Sequence, residues 1–356
     1  MRIIYDNIIF SLQKAGGISV YWSELIKRIG KPDVDVEFYG EQGDNIFERN
    51  LDVLVHQERN LPIWILRYLP FTKRLPPHTI FHSSYYRVST QKRVRNIVTV
   101  HDFVYEHFSS GLRKYVHVMQ KSFALSRASG IICISEHTKK DLDFFYPHIR
   151  CPVVIIPHGV SDDFMLLSEK ERILSQPFEV LQDTPFVLFV GGRSNYKNFA
   201  TAVNAVAKMA GHQLVIIGGG PLSHQHAQLL NEKLSERHYH FLNVTETELN
   251  LLYNNAFCLM YPSRYEGFGL PVLESMKAGC PVVALRASSI PEVVGDAALL
   301  AESEEPIEFI SKMNELLDVS VRRALIEKGL HRVKNFDWDI CFQKTYAFYK
   351  KIDTLK

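Results

Sequence analysis

Two carboxylates flank a short glycine-rich loop, and their spacing is the first sign of chemistry in this chain. Glu266 and Glu274 are separated by seven residues in the string EGFGLPVLE, which follows the apolar run FCLMY. Pro271 suits the first turn of a helix, and Gly279 suits its end. The helix start would offer backbone N–H donors and partial positive charge to a phosphate. Glu274 would then accept hydrogen bonds from sugar hydroxyls. The alternative is an ordinary helix start with a favourable acid.

A pair of basic residues follows another apolar run. Arg193 and Lys197 lie in the string GGRSNYKN, directly after PFVLFV. Gly191 and Gly192 allow a sharp turn, which places both cations at the end of a strand and the start of the next helix. Cations beside a helix N-terminus suit a phosphate or pyrophosphate. The alternative is a glycine turn with two solvated bases.

Three further strand ends carry residues of interest. His101 follows the run NIVTV, and a neutral imidazole there can exchange a hydrogen bond with a substrate hydroxyl, although a structural role is the alternative. Gly16 and Gly17 separate the first strand from a helix and would let backbone N–H groups approach an anion or a sugar. The string IIGGGP, residues 216–221, lacks the usual nucleotide-binding fingerprints and is interpreted as a structural turn.

Four closely spaced pairs resemble fragments of metal sites, but none has a third ligand at a standard spacing. The two acidic pairs have the D-x-D form and fall in segments with a helical pattern. We therefore expect solvated acids and no metal site. The pairs are Asp141 and Asp143, Asp337 and Asp339, His224 and His226, and His238 and His240.

Short apolar runs alternate with helical patterns through most of the chain. The runs are continuous rather than alternating, which is typical of strands buried on both faces of a parallel sheet. The string RIIYDNIIF at the N-terminus is interpreted as a first strand. A helix is predicted over Thr245–Ala256 because Thr245 and Glu248 form a T-x-x-E capping box. Strand–helix alternation predicts an α/β fold with doubly wound parallel sheets.

Chain length and local composition indicate two such domains. A chain of 356 residues exceeds one typical core. The alternation weakens in a polar stretch, so we predict a first domain over 1–158, a linker over 159–184 and a second domain over 185–335. An amphipathic C-terminal helix is expected over 336–356, after the second domain. Ligands of open parallel sheets bind at the carboxyl ends of the strands, so a cleft between the domains is the expected site.

Bulk composition favours no special partner. The net charge is +2, which does not call for a nucleic acid. No apolar run reaches the roughly 18 residues of a membrane-spanning helix, and the N-terminus lacks the apolar core of a signal peptide. The scattered cysteines are interpreted as buried thiols in a reducing compartment, and we expect a cytoplasmic protein. The apolar stretch Arg59–Pro77 is flanked by bases and is either a packed helix or a surface for a lipid-linked acceptor.

The ordered set of motifs resembles the retaining glycosyltransferases of family 4. The E-x7-E string is joined, in the expected order, by motifs spanning nearly the whole chain. The resemblance implies the GT-B fold: two Rossmann-like domains facing across a cleft, with the C-terminal helix packing back on the first domain. It also implies transfer of a sugar from a nucleotide donor, with retained anomeric configuration and no bound metal. The supporting strings are GGISVYW, TVHDF, CISEHTKKDL, VIIPHGV, VGGRSNYKN, IIGGGP and SSIPEVVGDAALL.

The resemblance also implies roles for the donor-binding residues. Glu274 would hold the ribose hydroxyls, and Glu266 would lie beside the transferred sugar. Arg193 and Lys197 resemble the family's pyrophosphate-binding basic pair. The backbone amides that would contact the sugar or diphosphate are those of Phe268, Gly269 and Leu270.

Other residues receive more peripheral roles by the same resemblance. His101 would reach hydroxyls of the donor sugar, and Gly16 and Gly17 would lie near the phosphates or the acceptor. The segment of Asn243 and Val244 resembles the strand end that borders the base. His158 stands where the family often has Asn or Gln, which is interpreted as a structural variation.

The implied function is transfer of a hexose, with GDP-mannose as the first candidate donor, to a glycan or lipid-linked acceptor in polysaccharide or lipopolysaccharide synthesis. Donors based on UDP or dTDP, and a non-catalytic subunit that binds nucleotide sugars, stay open as alternatives. A sugar-nucleotide epimerase or a phosphorylase would use the same architecture. No tightly bound cofactor and no nucleic-acid partner are expected, whereas peripheral association with the inner membrane is a further expectation.

Overall fold

The computed structural model describes residues 1–29, 34–41, 43–59 and 61–355. These residues form parallel β-strands connected by helices. The strands are β1 Arg2–Asp6, β2 Asp35–Tyr39, β3 Val55–His56, β4 Ile80–Ser83, β5 Arg95–Val100, β6 Ala128–Cys133, β7 Val153–Ile155, β8 Phe186–Val190, β9 Gln213–Ile217, β10 His238–Phe241, β11 Cys258–Tyr261, β12 Val282–Leu285 and β13 Leu299–Ala301. The helices are α1 Ile8–Leu12, α2 Gly17–Ile29, α3 Ile63–Leu66, α4 Val104–Phe108, α5 Gly111–Ser126, α6 Glu136–Phe145, α7 Phe199–Ala207, α8 His224–Leu234, α9 Glu246–Asn255, α10 Leu270–Lys277, α11 Ile290–Val294, α12 Pro306–Glu315, α13 Val319–Arg332 and α14 Trp338–Thr354.

The chain divides into two compact units. The first unit comprises Met1–Gly159 together with the chain from Asp337 onward, which includes α14, and the second comprises Val160–Phe336. The first sheet has the order β3-β2-β1-β4-β5-β6-β7, and the second has the order β10-β9-β8-β11-β12-β13. Both orders reverse direction beside the first strand of the unit, as in Rossmann-like sheets. The predicted fold class, two doubly wound parallel sheets, is confirmed.

The core of the second unit lies between its sheet and the flanking helices. Val187, Met260 and Val283 are completely buried, as expected for central strands covered on both faces. Phe309 of α12 is equally buried and joins the same apolar cluster. The continuous apolar runs in the sequence therefore reflect strands with no solvent-exposed face.

The predicted first strand is too long. The chain leaves the sheet after Asp6 and forms α1 instead of continuing as a strand through the string NIIF. Asn7 marks the break, because its side-chain oxygen accepts a hydrogen bond from the Trp22 indole at 2.7 Å. The backbone N–H of Ile9 donates to the Ser84 hydroxyl at 2.9 Å. A buried apolar run fits either structure, so these distant partners decide where the strand ends.

The predicted linker over 159–184 also differs from the structure, which places residues from Val160 onward in the second unit. The backbone N–H groups of Met165 and Leu167 donate to the side chains of Asn250 and Asn254 in α9, at 3.0 and 2.8 Å. Polar composition suggested a free connection, but these hydrogen bonds tie the segment to the domain surface.

Helix α14 packs on the first unit, to which it belongs. The Tyr349 hydroxyl lies 3.1 Å from the Tyr5 hydroxyl in β1, and the Arg95 guanidinium donates to the Ile352 carbonyl at 2.8 Å. A Cβ on Gly130 would come within 2.7 Å of the Phe348 ring, so the glycine allows the helix to approach β6 closely. Asp337 caps the helix by accepting from the backbone N–H of Asp339 and Ile340.

The apolar stretch Arg59–Pro77 does not form the packed helix that was one of its two interpretations. Within the described part of it, which omits Asn60, only α3 is helical, and prolines flank this single turn on both sides. Phe71 is buried, whereas Trp64 is 68% exposed and Tyr68 is 48% exposed.

Candidate active site

The polar residues singled out in the second unit lie at one edge of its sheet. Arg193 and Lys197 follow β8, Asn243 and Val244 follow β10, and Glu266 follows β11. Because carboxyl ends of parallel strands meet at the same edge, the fold brings these loops together. The strand order reverses between β8 and β11, and such a switch point is where open α/β sheets bind ligands.

Arg193 holds a neighbouring glycine loop in place. Its guanidinium donates to the carbonyls of Gly218, Gly219 and Pro221 at 2.9, 3.0 and 3.0 Å, and also to the carbonyl of Gly220. The three glycines have φ values of 69°, 73° and 74°, a region that side chains disfavour. These contacts occupy the terminal nitrogens of the guanidinium, and the predicted phosphate contact of Arg193 stays a prediction. A positioning role fits these contacts better.

Lys197 and Glu266 form an ion pair. The Lys197 ammonium donates to a Glu266 carboxylate oxygen at 2.6 Å, and the two side chains are only 17% and 11% exposed. The ammonium also lies over the rings of Tyr196 and Tyr261, at 5.5 and 5.6 Å from their centroids. The residues predicted to contact diphosphate and transferred sugar are thus direct neighbours, although 69 positions separate them in the sequence.

Two serines shape the loop after β11. The Ser289 hydroxyl donates to the carbonyls of Glu266 and Phe268 at 2.9 and 3.0 Å. The Glu266 backbone N–H donates to the Ser288 hydroxyl at 2.8 Å. Both serines belong to the motif SSIPEVVGDAALL, from which no role for them was predicted. Their position directly before a Pro-containing helix start was the available signal.

Gly269 directly precedes α10 and has a backbone conformation that only glycine adopts easily. Its φ is 106°, and a Cβ there would lie 2.8 Å from a methyl group of Ile290. Leu270 and Pro271 then form the first turn, as the sequence predicted. Pro271 has no N–H, and the Val272 N–H donates to the Gly269 carbonyl at 3.1 Å, so of these three residues it is Leu270 whose N–H can bind an anion at the helix start. Phe268 is buried beside it and packs edge-on against Phe336.

Glu274 lies one turn into α10 and is partly buried. Burial raises the pKa of its carboxyl to about 7; the hydrogen bond from the Tyr253 hydroxyl, at 3.2 Å, opposes that shift, and the charge of Glu246 adds to it. The predicted capping box of α9 is present, with Thr245 and Glu248 bonded reciprocally. Tyr253, which the sequence did not indicate, thus orients the carboxylate.

The predicted residues of the first unit surround a buried aromatic cluster. His101 follows β5 and is 8% exposed, with its ring 5.3 Å from Tyr21. Burial, followed by the charge of Lys121, lowers the pKa of His101 to about 3, so the imidazole is neutral near pH 7. The His158 ring stacks on Tyr21 with the centroids 4.8 Å apart, and it lies 5.8 Å from the His101 ring.

The glycines after β1 lead into α2. Gly17 is the first residue of this helix, and the Gly16 carbonyl accepts hydrogen bonds from the Val20 N–H at 3.0 Å and the Ser19 hydroxyl at 3.1 Å. These contacts build the helix start and leave its first N–H groups at the carboxyl edge of the first sheet. The predicted proximity of Gly16 and Gly17 to a ligand stays a prediction.

A cavity of about 680 Å³ opens at the carboxyl ends of β1, β2 and β3. Asn7, Glu41 and Gln57 contribute polar side chains to its lining. Asn7 is 1% exposed, and within the described part of the chain its side-chain N–H₂ has no hydrogen-bond partner. One carboxylate oxygen of Glu41 is also unpartnered, while the other accepts from Gln57 at 2.7 Å. Both of these unpaired atoms are themselves buried, so the polar lining of the cavity rests on the rest of these side chains.

The other candidate pairs occupy ordinary positions. Asp143 pairs with Lys139 at 2.5 Å, and Asp339 pairs with Arg28 at 2.5 Å. Across the described ranges, no three His, Cys, Asp or Glu side chains gather as a metal site would require. All five cysteines are free thiols, and four of them are buried. Within the same ranges, no helix combines the length and the apolar character needed to cross a bilayer.

Comparison with known proteins decides the family. Residues 15–164 match the model of Glycosyltransferase Family 4, and residues 171–332 match that of Glycosyl transferases group 1. The chain belongs to glycosyltransferase family 4. The resemblance carried by its E-x7-E and neighbouring motifs is therefore confirmed.

Relatives of this family 4 chain include the O-antigen chain mannosyltransferase B of Escherichia coli, 31% identical over 248 residues. That match covers 66% of this chain and 64% of the relative. Among solved structures, sucrose-phosphate synthase from Thermosynechococcus elongatus gives a TM-score of 0.77 at 18% identity, covering 99% of both chains. Anabaena Alr3699/HepE in complex with UDP and glucose gives 0.76 at 17% identity, covering 100% of both. At such low identities these structures confirm the fold alone, which is GT-B.

Proposed function

We propose that this protein transfers a hexose, with mannose as the first candidate, from a nucleoside diphosphate sugar to a glycan or lipid-linked acceptor. The observation that carries the proposal is the Lys197–Glu266 ion pair at 2.6 Å, set at the switch point of the second sheet. A cation there offsets the charge that builds on a departing diphosphate. The name of the Escherichia coli relative supports mannose and a role in O-antigen synthesis.

The donor would bind the second unit. Its diphosphate would lie between Lys197 and the first turn of α10, and its ribose hydroxyls would donate to the Glu274 carboxylate. Glu266 would accept from hydroxyls of the transferred sugar while staying paired with Lys197. Asn243 and Val244, beside the end of β10, would border the base. Arg193 would act by holding the glycine loop rather than by touching phosphate.

The acceptor would bind the first unit. The Asn7 amide and the Glu41 carboxylate would engage acceptor hydroxyls in the cavity beside β1, because both side chains contribute polar groups to its lining. Neutral His101 would exchange a hydrogen bond with a hydroxyl of the donor sugar. Gly16 and Gly17 would bring backbone N–H groups close to phosphate or acceptor.

The proposed reaction is a front-face substitution that retains configuration without a metal. The bond between the anomeric carbon and the diphosphate oxygen breaks, and positive charge develops on the sugar ring. The acceptor oxygen bonds to the same face of that carbon, and its proton moves to the departing diphosphate oxygen. Lys197 and the α10 N-terminus would stabilise the leaving group in the absence of a cation such as Mg²⁺.

The deciding experiment is a thermal-shift panel of UDP-, GDP- and dTDP-sugars followed by turnover with glycan acceptors. A donor at a hundred times its dissociation constant stabilises the fold by roughly 2.7 kcal/mol. The UDP complex of the Anabaena structure makes UDP-sugars the second candidate donors. NMR of the product establishes whether the anomeric configuration is retained.

Three results would refute parts of the proposal. Stabilisation by none of these nucleotide sugars would exclude the donor class. Binding without turnover across the acceptor panel would favour a non-catalytic subunit, and conversion of the donor alone would favour an epimerase.

A further inference from the structure

Positive charge is concentrated in one part of the first unit. Residues 59–135 contain twelve Lys and Arg but only two acids, a net charge of +10, whereas the whole chain has +2. Two of these cations are neutralised by acids from outside the segment, because the buried Arg87 pairs with Asp6 and Glu58 and Arg95 pairs with Asp353. Glu106 is buried and pairs with the buried Lys121 at 2.8 Å, and Asp102 accepts from the Val104 N–H at 3.0 Å.

Helix α5, in the middle of this region, presents apolar side chains outward. Leu112, Tyr115, Met119 and Phe123 are 78%, 67%, 71% and 41% exposed. Their spacing of three or four residues places them along one side of the helix. The opposite side, which includes Lys121, is buried. A surface helix normally has the reverse arrangement, with its apolar side toward the core.

The segment around α3 extends the same surface. The Gln120 side chain of α5 donates to the Arg67 carbonyl at 2.5 Å, which joins the two elements. Between them lies a groove of about 400 Å³ whose lining includes Tyr68, Met119 and Phe123. Trp64, in α3 itself, is 68% exposed. We call this surface the basic apolar face; its apolar residues are Trp64, Tyr68, Leu112, Tyr115, Val116, Met119 and Phe123.

Exposed cations surround these apolar side chains in the sequence. Arg113 follows Leu112 directly, and the Arg127 guanidinium lies 5.6 Å from the centroid of the Phe123 ring. Lys73 and Arg74 are exposed in the segment that follows α3. Tryptophan and tyrosine favour the boundary between water and lipid, and Lys and Arg are attracted to anionic headgroups.

We propose that the basic apolar face binds the surface of an anionic lipid bilayer, with the apolar side chains inserted among the headgroups. A face bordered by the exposed cations Lys73, Arg74, Arg113 and Arg127 would repel a second copy of itself. Nucleic acid would engage the cations but would leave the aliphatic side chains of Leu112 and Met119 in water. A bilayer satisfies both features, because interfacial segments combine an apolar side with basic flanks. This binding does not depend on the proposed transfer reaction.

Flotation with lipid vesicles tests the proposal on the full chain. Vesicles of phosphatidylcholine are compared with vesicles containing phosphatidylglycerol in addition. The triple variant Leu112→Ser, Tyr115→Ser, Met119→Ser should bind the anionic vesicles at least about tenfold more weakly. The matched control Ile307→Ser, Val319→Ser removes apolar residues that are 62% and 69% exposed in the second unit, and it should bind like the wild type.

Salt and charge variants test the electrostatic part. Binding of the wild-type protein should require the anionic lipid. It should weaken as the salt concentration rises from about 0.05 to about 0.5 M, because salt screens the attraction between the cations and the headgroups. Arg113→Gln with Arg127→Gln should also weaken it. Unchanged thermal unfolding of all variants shows that they fold, since every substituted side chain is exposed.

Three results would overturn the proposal. The first is a wild-type protein that does not float with anionic vesicles. The second is a triple variant that floats as well as the control. The third is a wild-type dimer in light scattering that the triple variant converts to a monomer, because the face would then bind a second copy.

Discussion

Replacing Glu274 by Gln should remove the pH dependence of donor binding between pH 6 and 8. Burial raises the pKa of the Glu274 carboxyl to about 7 from its ordinary 4.5. A carboxylate that accepts hydrogen bonds from ribose hydroxyls must lose this proton first. If the pKa returns to its ordinary value in the complex, the apparent dissociation constant at pH 6 is about elevenfold higher than its high-pH limit.

Isothermal titration with a nucleotide sugar measures this effect. A nucleotide sugar is the suitable ligand because its diphosphate is a diester, whereas a terminal phosphate titrates near pH 6 and would obscure the result. At pH 7 binding should release about half a proton, which appears as a dependence of the heat on the ionisation enthalpy of the buffer. Glu274→Gln should bind about tenfold more weakly at pH 8 and show no proton release.

A second variant tests how a neighbouring charge contributes to the pKa of Glu274. The charge of Glu246 contributes to the raised pKa of Glu274, so Glu246→Gln should move the midpoint of the pH dependence below 7 without removing it. The raised pKa also means that the contribution of Glu274 to the free energy of unfolding falls as pH rises from about 4.5 to 7. Wild-type binding that is flat from pH 6 to 8 would refute this account of Glu274.

Three other predictions concern the same unit. Lys197→Ala should lower turnover by a factor of about 100 or more, because the ammonium contributes several kcal/mol to stabilising the leaving group. Lys197→Arg should recover part of the lost turnover. Wild-type turnover in the alanine variant would exclude a role of Lys197 in leaving-group stabilisation. Arg193→Met should reduce the free energy of unfolding by about 2–4 kcal/mol in chemical denaturation, because the carbonyls of the glycine loop lose their hydrogen-bond partner. Normal stability together with lost binding of the nucleotide sugar would instead support a phosphate contact. Thr245→Ala should cost about 1 kcal/mol in the same measurement, since it removes a capping box; no change would show that the cap is dispensable.

The central strands were predictable from sequence because both of their faces are buried. The apolar runs NIVTV, PFVLFV and FCLMY overlap β5, β8 and β11. The strands β2 and β10 escaped prediction, since their side chains are mostly half-buried and mix charged or polar residues with aromatic ones. The strand β4 also escaped prediction although it is buried throughout, because it has only four residues and ends in His82 and Ser83. Strands toward the edge of a sheet lack the continuous apolar signal of central ones.

The sequence by itself determined the local features of the site. The E-x7-E spacing, the glycine before the helix and Pro271 in its first turn all act over a few residues, so the strings that contain them predicted α10 and the direction of its N–H donors. The alternation of strands and helices likewise determined the fold class, because each element must bury one apolar face.

Only the tertiary structure decided what the charged residues contact. Lys197 meets Glu266, Arg193 meets the glycine loop after β9, and Tyr253 meets Glu274 across distances of 21 to 69 positions in the chain. Nothing in a local string specifies such partners, since they depend on which strands become neighbours in the sheet. The raised pKa of Glu274 has the same origin, because the burial that causes it is supplied by other elements of the fold.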